Sequence, residues 1–241
     1  MNPLQRTGLR LGFVSFFAAV VLGVVGPAGA QENLAPGSTQ RVQGTIHADA
    51  GRGMVEMTSR ATTLPDNLGQ QTAARLQTAE GQAAVQKGDA RAKAATGRGV
   101  GAADVQAIAD QYAGKTVYDS SMRHVKVVRR YMLTLDAKAA NGPRVALNMQ
   151  LDEKSLAVLD AKVSYYPEGK DFSNDFTTDK KVPATVSIDK IERVGGNVFA
   201  VSGSFSAADL RPGVMAKKLK GQTLPSVNGR FAFTEVPLRD Q

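Results

Sequence analysis

The side chains able to do chemistry are few, and their spacing narrows the choices. The chain has no cysteine, and its two histidines are His47 and His124. Disulfides, thiolate metal sites and cysteine nucleophiles are therefore excluded, and the H-E-x-x-H pair of zinc hydrolases is absent. One histidine is enough for a Ser-His-Asp triad, but there is no G-x-S-x-G nucleophile elbow. Ser202-Gly203-Ser204 falls inside a strand-like stretch rather than on a strand-to-helix turn. Residues Ala109 to Thr116 (ADQYAGKT) fit a relaxed phosphate-loop pattern with alanine in the first glycine position. A phosphate loop runs from a strand into a helix, so that the helix N-terminus faces the phosphates. Here a helical stretch precedes and a strand-like one follows, which argues against nucleotide binding. Gly97-Arg98-Gly99-Val100-Gly101 has the glycines of a dinucleotide loop but no apolar strand before it, and reads as a linker.

Asp171, Asp175 and Asp179, with Glu168 and Asn174, are the oxygen ligands calcium takes. Their spacing of four departs from an EF-hand loop, and Lys170, Lys180 and Lys181 offset their charge, so a solvated loop is the expectation. No metal or cofactor is expected. Carboxylates scattered along the chain leave a carboxylate-based hydrolase open.

Basic groups are the remaining candidates. His124, Lys126, Arg129 and Arg130 form one cluster, and Lys217, Lys218 and Lys220 another. Together they would make an anion-binding face. In a continuous strand over 124–135, Val125, Val127, Tyr131, Leu133 and Leu135 share one face, and His124, Lys126 and Arg130 point to solvent. Arg129 then falls on the apolar side. Three readings are open: a bulge or strand edge turns it outward, it meets an anionic ligand, or it pairs with a core carboxylate. The net charge of +8, or +6 for the chain without Arg6 and Arg10, fits anionic envelope partners, and the same surplus also keeps a small domain soluble. Nucleic acid is not expected, because no aromatic-plus-basic platform is present.

These groups must be held by elements legible from periodicity. Past Met122 the apolar period is two. Strands are expected at 124–135, 144–151 and 155–165, with Asn141-Gly142 as a hairpin turn, giving a three-stranded antiparallel meander. A further strand covers 184–194, where Ile191 breaks the alternation and predicts a bulge near Asp189. Gly195-Gly196-Asn197 turns the chain into a partner strand lined by Phe199, Val201, Gly203 and Phe205. A long loop, 207–226, leads to a last strand, 228–237, ended by Pro237. Nearer the N-terminus, 41–49 and 54–62 flank a Gly-rich turn as a hairpin, with Val42, Ile46 and Ala48 on one face.

Between the two β regions lies an insert, 67–113. Its first part, 67–95, is helix-favouring but short of apolar anchors and interrupted by Gly69, Gly81 and Gly88, so a weakly packed helix or a disordered segment is expected. In 102–113, Val105, Ile108, Ala109 and Tyr112 form an amphipathic stripe, and Gly114 stands where a helix-ending glycine belongs. The expected fold is mainly β: an antiparallel β-sandwich or small barrel of about eight strands with a helical insertion, α+β remaining open.

Residues 1–30 have the three parts of a secretory signal. Arg6 and Arg10 form the positive region, an apolar run extends from Leu11 to Val25, and Ala28-Gly29-Ala30 offers small residues before a cut at Gln31. The apolar run of about 15 residues is shorter than the roughly 20 of a membrane span. Residues 31–40 read as a flexible lead-in, and 41–241 as one β-rich domain. No transmembrane segment is expected in the mature form, which is placed in the periplasm or secreted. The functional expectation is a non-enzymatic binding or structural role in the envelope, toward a partner protein, anionic lipid or polysaccharide. A periplasmic carrier of a small amphipathic or lipid-like ligand and a carboxylate-based hydrolase are the alternatives.

Overall fold

The computed structural model describes residues 34–169, 174–179, 184–214 and 216–239. Residues 1–30, with Arg6, Arg10 and Ala28-Gly29-Ala30 where a signal and its cut are expected, lie outside them, as do Lys170, Asp171, Lys180 and Lys181 of the acidic loop.

The protein is mainly β, with eleven strands and three α-helices among the described residues. The strands are β1 Thr39–Asp49, β2 Met54–Thr63, β3 Thr116–Tyr118, β4 Ser121–Val125, β5 Arg130–Lys138, β6 Arg144–Asp152, β7 Val158–Tyr166, β8 Phe176–Thr177, β9 Thr185–Gly195, β10 Val198–Pro212 and β11 Leu224–Arg239. The helices are α1 Leu68–Leu76, α2 Ala79–Thr96 and α3 Ala102–Tyr112. Two compact units share the chain: residues up to Thr39 with Thr62–Val117, and Gln40–Ala61 with Tyr118 onward.

The first unit contains the insert. Helix ends organise it. Thr78 caps α2, its hydroxyl accepting the Gly81 N–H at 3.0 Å, and this cap splits the single helix expected over 67–95 into α1 and α2. A β-carbon at Gly81 would stand 2.0 Å from the Arg75 carbonyl oxygen, so the glycine counted against helix formation is the residue that lets the two helices meet so closely. Gly97 ends α2 in the left-handed region at φ 74°. The linker then folds back, Asp89 accepting the Val100 N–H at 2.8 Å. The two small apolar clusters are Ala92, Val100 and Val105, and Leu64, Leu68 and Ala109. Chain entry and exit are fastened together: the Leu64 N–H donates to the Lys115 carbonyl at 3.0 Å, and the Thr63 and Thr116 hydroxyls lie 2.9 Å apart.

The second unit is the β body. β4 to β7 pair in sequence, extending the expected meander by one strand, and β7 passes through two-residue β8 to β10. β10 pairs along most of its length with β11, and β11 returns to β4 through a short parallel pairing, Leu238 beside Met122. These pairings form a closed circuit, but not a barrel: β9 hangs outside on β10, and β1 and β2 branch from β11. The core is a contiguous set including Ile46, Met122, Leu133, Leu135, Val145, Leu147, Met149, Leu151, Val163, Val227 and Val236, each at most 1% exposed. Three phenylalanines pack over glycines directly across the ladder: Phe233 over Gly44, Phe231 over Gly203 and Phe205 over Gly229. In each case a β-carbon on the glycine would come within 2.7 Å of the ring, so no larger residue fits.

Several expectations need correction. The strand expected over 124–135 is two strands, because Lys126–Val128 form a 3-10 turn and Arg129 adopts φ 52°. β7 begins at Val158 rather than 155, with Leu156 in the preceding turn at φ 57°. β10 and β11 reach well into the loop expected over 207–226, and Pro237 pairs with Val198 inside β11 rather than ending it. Val42 is 57% exposed while Gln43 is fully buried. The bulge near Asp189 is present: Ser202 faces Lys190 and Gly203 faces Ile188, leaving Asp189 as the extra residue.

Candidate functional site

The first basic cluster is gathered by the β4–β5 hairpin. Its tip, Lys126-Val127-Val128-Arg129, is closed by the Arg129 N–H donating to the Lys126 carbonyl at 3.2 Å. Arg129 points to solvent, its side chain 82% exposed, which agrees with the outward reading and not with a core ion pair. Val127 is 94% exposed and Val128 50%. The apolar pair therefore stands in solvent between Lys126 and the two arginines, and Arg123 lies one step back on β4. Arg130 lies on the outer face, where its guanidinium donates to Gln150 Oε1 at 2.6 Å.

His124 is not on the solvent side. Facing residues on paired strands share a side of the sheet, and His124 faces Tyr131, which faces the fully buried Leu151. Its ring stacks on Tyr131 with centroids 4.8 Å apart. His124 Nε2 lies 2.8 Å from Glu153 Oε1, and Arg129 Nε lies 3.8 Å from the other Glu153 oxygen. Glu153 comes from the β6–β7 turn, which Asp152 fixes by accepting the N–H groups of Lys154 and Ser155 at 3.0 and 2.8 Å. Those hydrogen bonds, led by the Ser155 N–H, hold the Asp152 carboxyl below the usual carboxylate range. The tip is thus a convex, cationic and apolar projection on a braced base.

The second cluster stands elsewhere. Lys217, Lys218 and Lys220 lie between β10 and β11 at the Leu224 end of β11, whereas the tip of β4–β5 projects past the Arg239 end. The single anion-binding face imagined from sequence is therefore two separate regions. Lys218 and Lys220 are exposed.

Two polar groupings were not legible in the sequence. On the outer face of β5–β7, Arg144 grips Asp136 with two hydrogen bonds, Nε to Oδ1 at 2.6 Å and Nη2 to Oδ2, both side chains about 15% exposed. The Arg144 guanidinium also lies over the Tyr166 ring at 5.0 Å. Burial works to lower the Arg144 pKa, and the Asp136 hydrogen bonds and charge outweigh it and raise it. Nearby, burial raises Asp175 above the usual carboxylate range, with Lys162 opposing, and burial likewise raises Tyr166. A carboxyl held toward its protonated form is what a general acid needs. Asp136, by contrast, is occupied by Arg144.

The other grouping is fully buried. Gln43, Ser59 and Ser120 sit where β1, β2, β4, β5 and β11 meet around the Thr58–Lys138 pairing. The Gln43 amide donates to the carbonyls of Ser120 and Glu235, both at 2.9 Å, and its oxygen accepts the Ser120 N–H at 3.0 Å and the Ser59 hydroxyl at 3.3 Å. Every hydrogen-bonding position of the amide is used, so the node joins strands and offers nothing to a ligand. The ADQYAGKT stretch runs from the last turn of α3 through Gly114 into β3, the reverse of a phosphate loop. Among the described residues, no three His, Asp or Glu side chains converge as a metal site, and no helix is long and apolar enough to cross a membrane.

The fold and site define a mainly β protein with a helical insertion and a basic, apolar-tipped hairpin. Comparison with family profiles, curated proteins and solved structures returned no match.

Proposed function

We propose that this chain is an exported, non-enzymatic binding protein of the bacterial envelope, and that it docks on an anionic envelope surface through the β4–β5 tip. The observation that carries this reading is the pair Val127 and Val128, exposed between Lys126, Arg129 and Arg130. Apolar side chains left in solvent amid like charges cost solubility unless something covers them. The filled interior favours docking outside the body over carriage of a ligand within it, since Leu135, Leu147, Met149 and Leu151 are fully buried against one another. The signal-like segment at 1–30 supports export.

Charge reversal tests the reading. Binding of the protein to isolated envelopes should fall by about a hundredfold or more in Lys126→Glu/Arg129→Glu/Arg130→Glu, on the basis of about 1 kcal/mol for each basic residue near an anionic surface. It should also weaken with added salt. Lys218→Glu/Lys220→Glu, altered at the other end of β11, should bind as the parent does. Equal binding by parent and triple variant would end the proposal.

One observation favours a second reading. Asp175, held toward its protonated form by burial beside Tyr166 and Lys162, is the group a carboxylate-based hydrolase would use as an acid.

A further inference from the structure

We infer that the surface met by the β4–β5 tip is an anionic phospholipid bilayer, and that Val127 and Val128 enter its interface. This rests on the docking role proposed above and specifies the partner.

The shape of the site selects this partner. A small anion is held by donors converging in a concave site, and a polysaccharide lies along a groove. The β4–β5 tip is a projection, and Val127 is 94% exposed. A bilayer is the anionic partner that accepts a projection. Its headgroup layer takes the cations and the hydrocarbon boundary beneath takes the valines, which is the chemistry of proteins that lie in a membrane interface. Lysine and arginine stems are long enough to keep their charges among headgroups while their neighbours go deeper.

The rest of that end of the body has the same character. The β9–β10 turn lies at the same end of β11, the Leu238 N–H donating to the Asn197 carbonyl at 2.6 Å. Val194, beside that turn, is 53% exposed and is the extra residue of a second register slip, with Arg193 next to it. The β6–β7 turn is at this end too, since Arg130 faces Asp152. Leu159, the extra residue where Leu151 faces Val158 and Gln150 faces Asp160, is 50% exposed. Carboxylates at this end are largely engaged within the protein. Glu153 is beside His124 and Arg129, Glu192 lies 2.7 Å from Lys190, and Asp152 caps its own turn. Asp160 is exposed. At the opposite end of β11, Val214 is also fully exposed near Lys218 and Lys220, and provides an internal control.

The chain contains no tryptophan, so Val127→Trp in the full protein is a single reporter. With vesicles of phosphatidylglycerol and phosphatidylethanolamine, its emission should shift to the blue and be quenched by acyl-brominated lipid, and with phosphatidylcholine alone it should do neither. Val214→Trp should show no shift in either. Val127→Asp/Val128→Asp should lose at least about tenfold in vesicle affinity, the worth of burying one valine. Matching melts of the variants establish that each is folded. Binding to anionic vesicles without shift or quenching would overturn insertion and leave the cationic docking role standing. Charge-dependent binding to envelopes with none to vesicles would overturn the lipid and retain the docking role. A shift at Val214 without one at Val127 would place the contact at the wrong end and overturn the inference. Binding to neither vesicles nor envelopes would overturn both.

Discussion

The β body and the helical insert hold themselves together in different ways. In the body, twenty-three buried side chains form one continuous cluster, and residues far apart in sequence supply it, from Ile46 to Val236. The insert has only two clusters of three described buried side chains each, one of them completed by Leu64 just before it, and most of the order is local: Thr78 capping α2, Asp89 holding the linker, Asp104 accepting the Gly101 N–H. A unit built on local bonds and few apolar anchors opens at lower free energy than one built on a shared core. The insert is the part to remove or perturb, and the body the part that keeps the β4–β5 tip in place.

The sharpest test of that contrast sets a body residue against an insert residue. Leu147→Ala, at a fully buried position on β6, should cost about 2–5 kcal/mol and lower the melting temperature of the whole β body. Val105→Ala, on α3, should cost about 1 kcal/mol and act on the helical signal alone. Equal costs, read by denaturant titration with helix-specific and strand-specific circular dichroism, would remove the distinction.

Excision comes next. Replacing residues 66–113 by an Asn-Gly turn uses the existing fastening of Leu64 to Lys115 and of Thr63 to Thr116. The shortened protein should keep a cooperative melt and its strand signal. Loss of cooperativity would show that the insert belongs to the core.

The smallest effect concerns Asp175. Burial raises its carboxyl pKa, so the folded state holds the proton more tightly than the unfolded chain does. The resulting penalty is present in full above the folded pKa and fades as pH falls through that value to below the unfolded one. Asp175→Asn should therefore stabilise the protein modestly at neutral pH, by less than either core change costs, with the gain shrinking in acid. A gain that grew in acid would show that the carboxylate is stabilised rather than desolvated.

Local signals were readable and distant ones were not. Asn141-Gly142 and Gly196-Asn197 mark real hairpin turns, and the misplaced Ile191 reveals the Asp189 bulge, because each depends on neighbours in sequence. The β4–β5 break showed only in Arg129 falling on the apolar side, since Val125 and Val127 continue an alternation that a strand would also show. What betrays the tip is the run of charge around two valines, and only the register shows that His124 turns inward to Tyr131. The basic residues of the tip were legible by type, whereas Glu153, which lies beside His124 and Arg129, comes from another turn. The Gln43 node links residues from distant strands, so no spacing could announce it, whereas Asp136 and Arg144 meet diagonally across the hairpin turned by Asn141-Gly142. Pro237 misled for a related reason: a proline stops a strand only where its missing N–H is needed by a neighbour.

β11 borders β1 and β4 along one edge and β10 along the other. It is the last strand among the described residues, so three earlier strands wait for it. A ribosome or a translocation pore releasing the chain from its N-terminus would free the helices to settle early, while the sheet stays unclosed until Leu224–Arg239 has emerged. The protein is wired to complete its body last, and a chain cut short before Leu224 would leave β1, β4 and β10 exposed for mispairing with other chains.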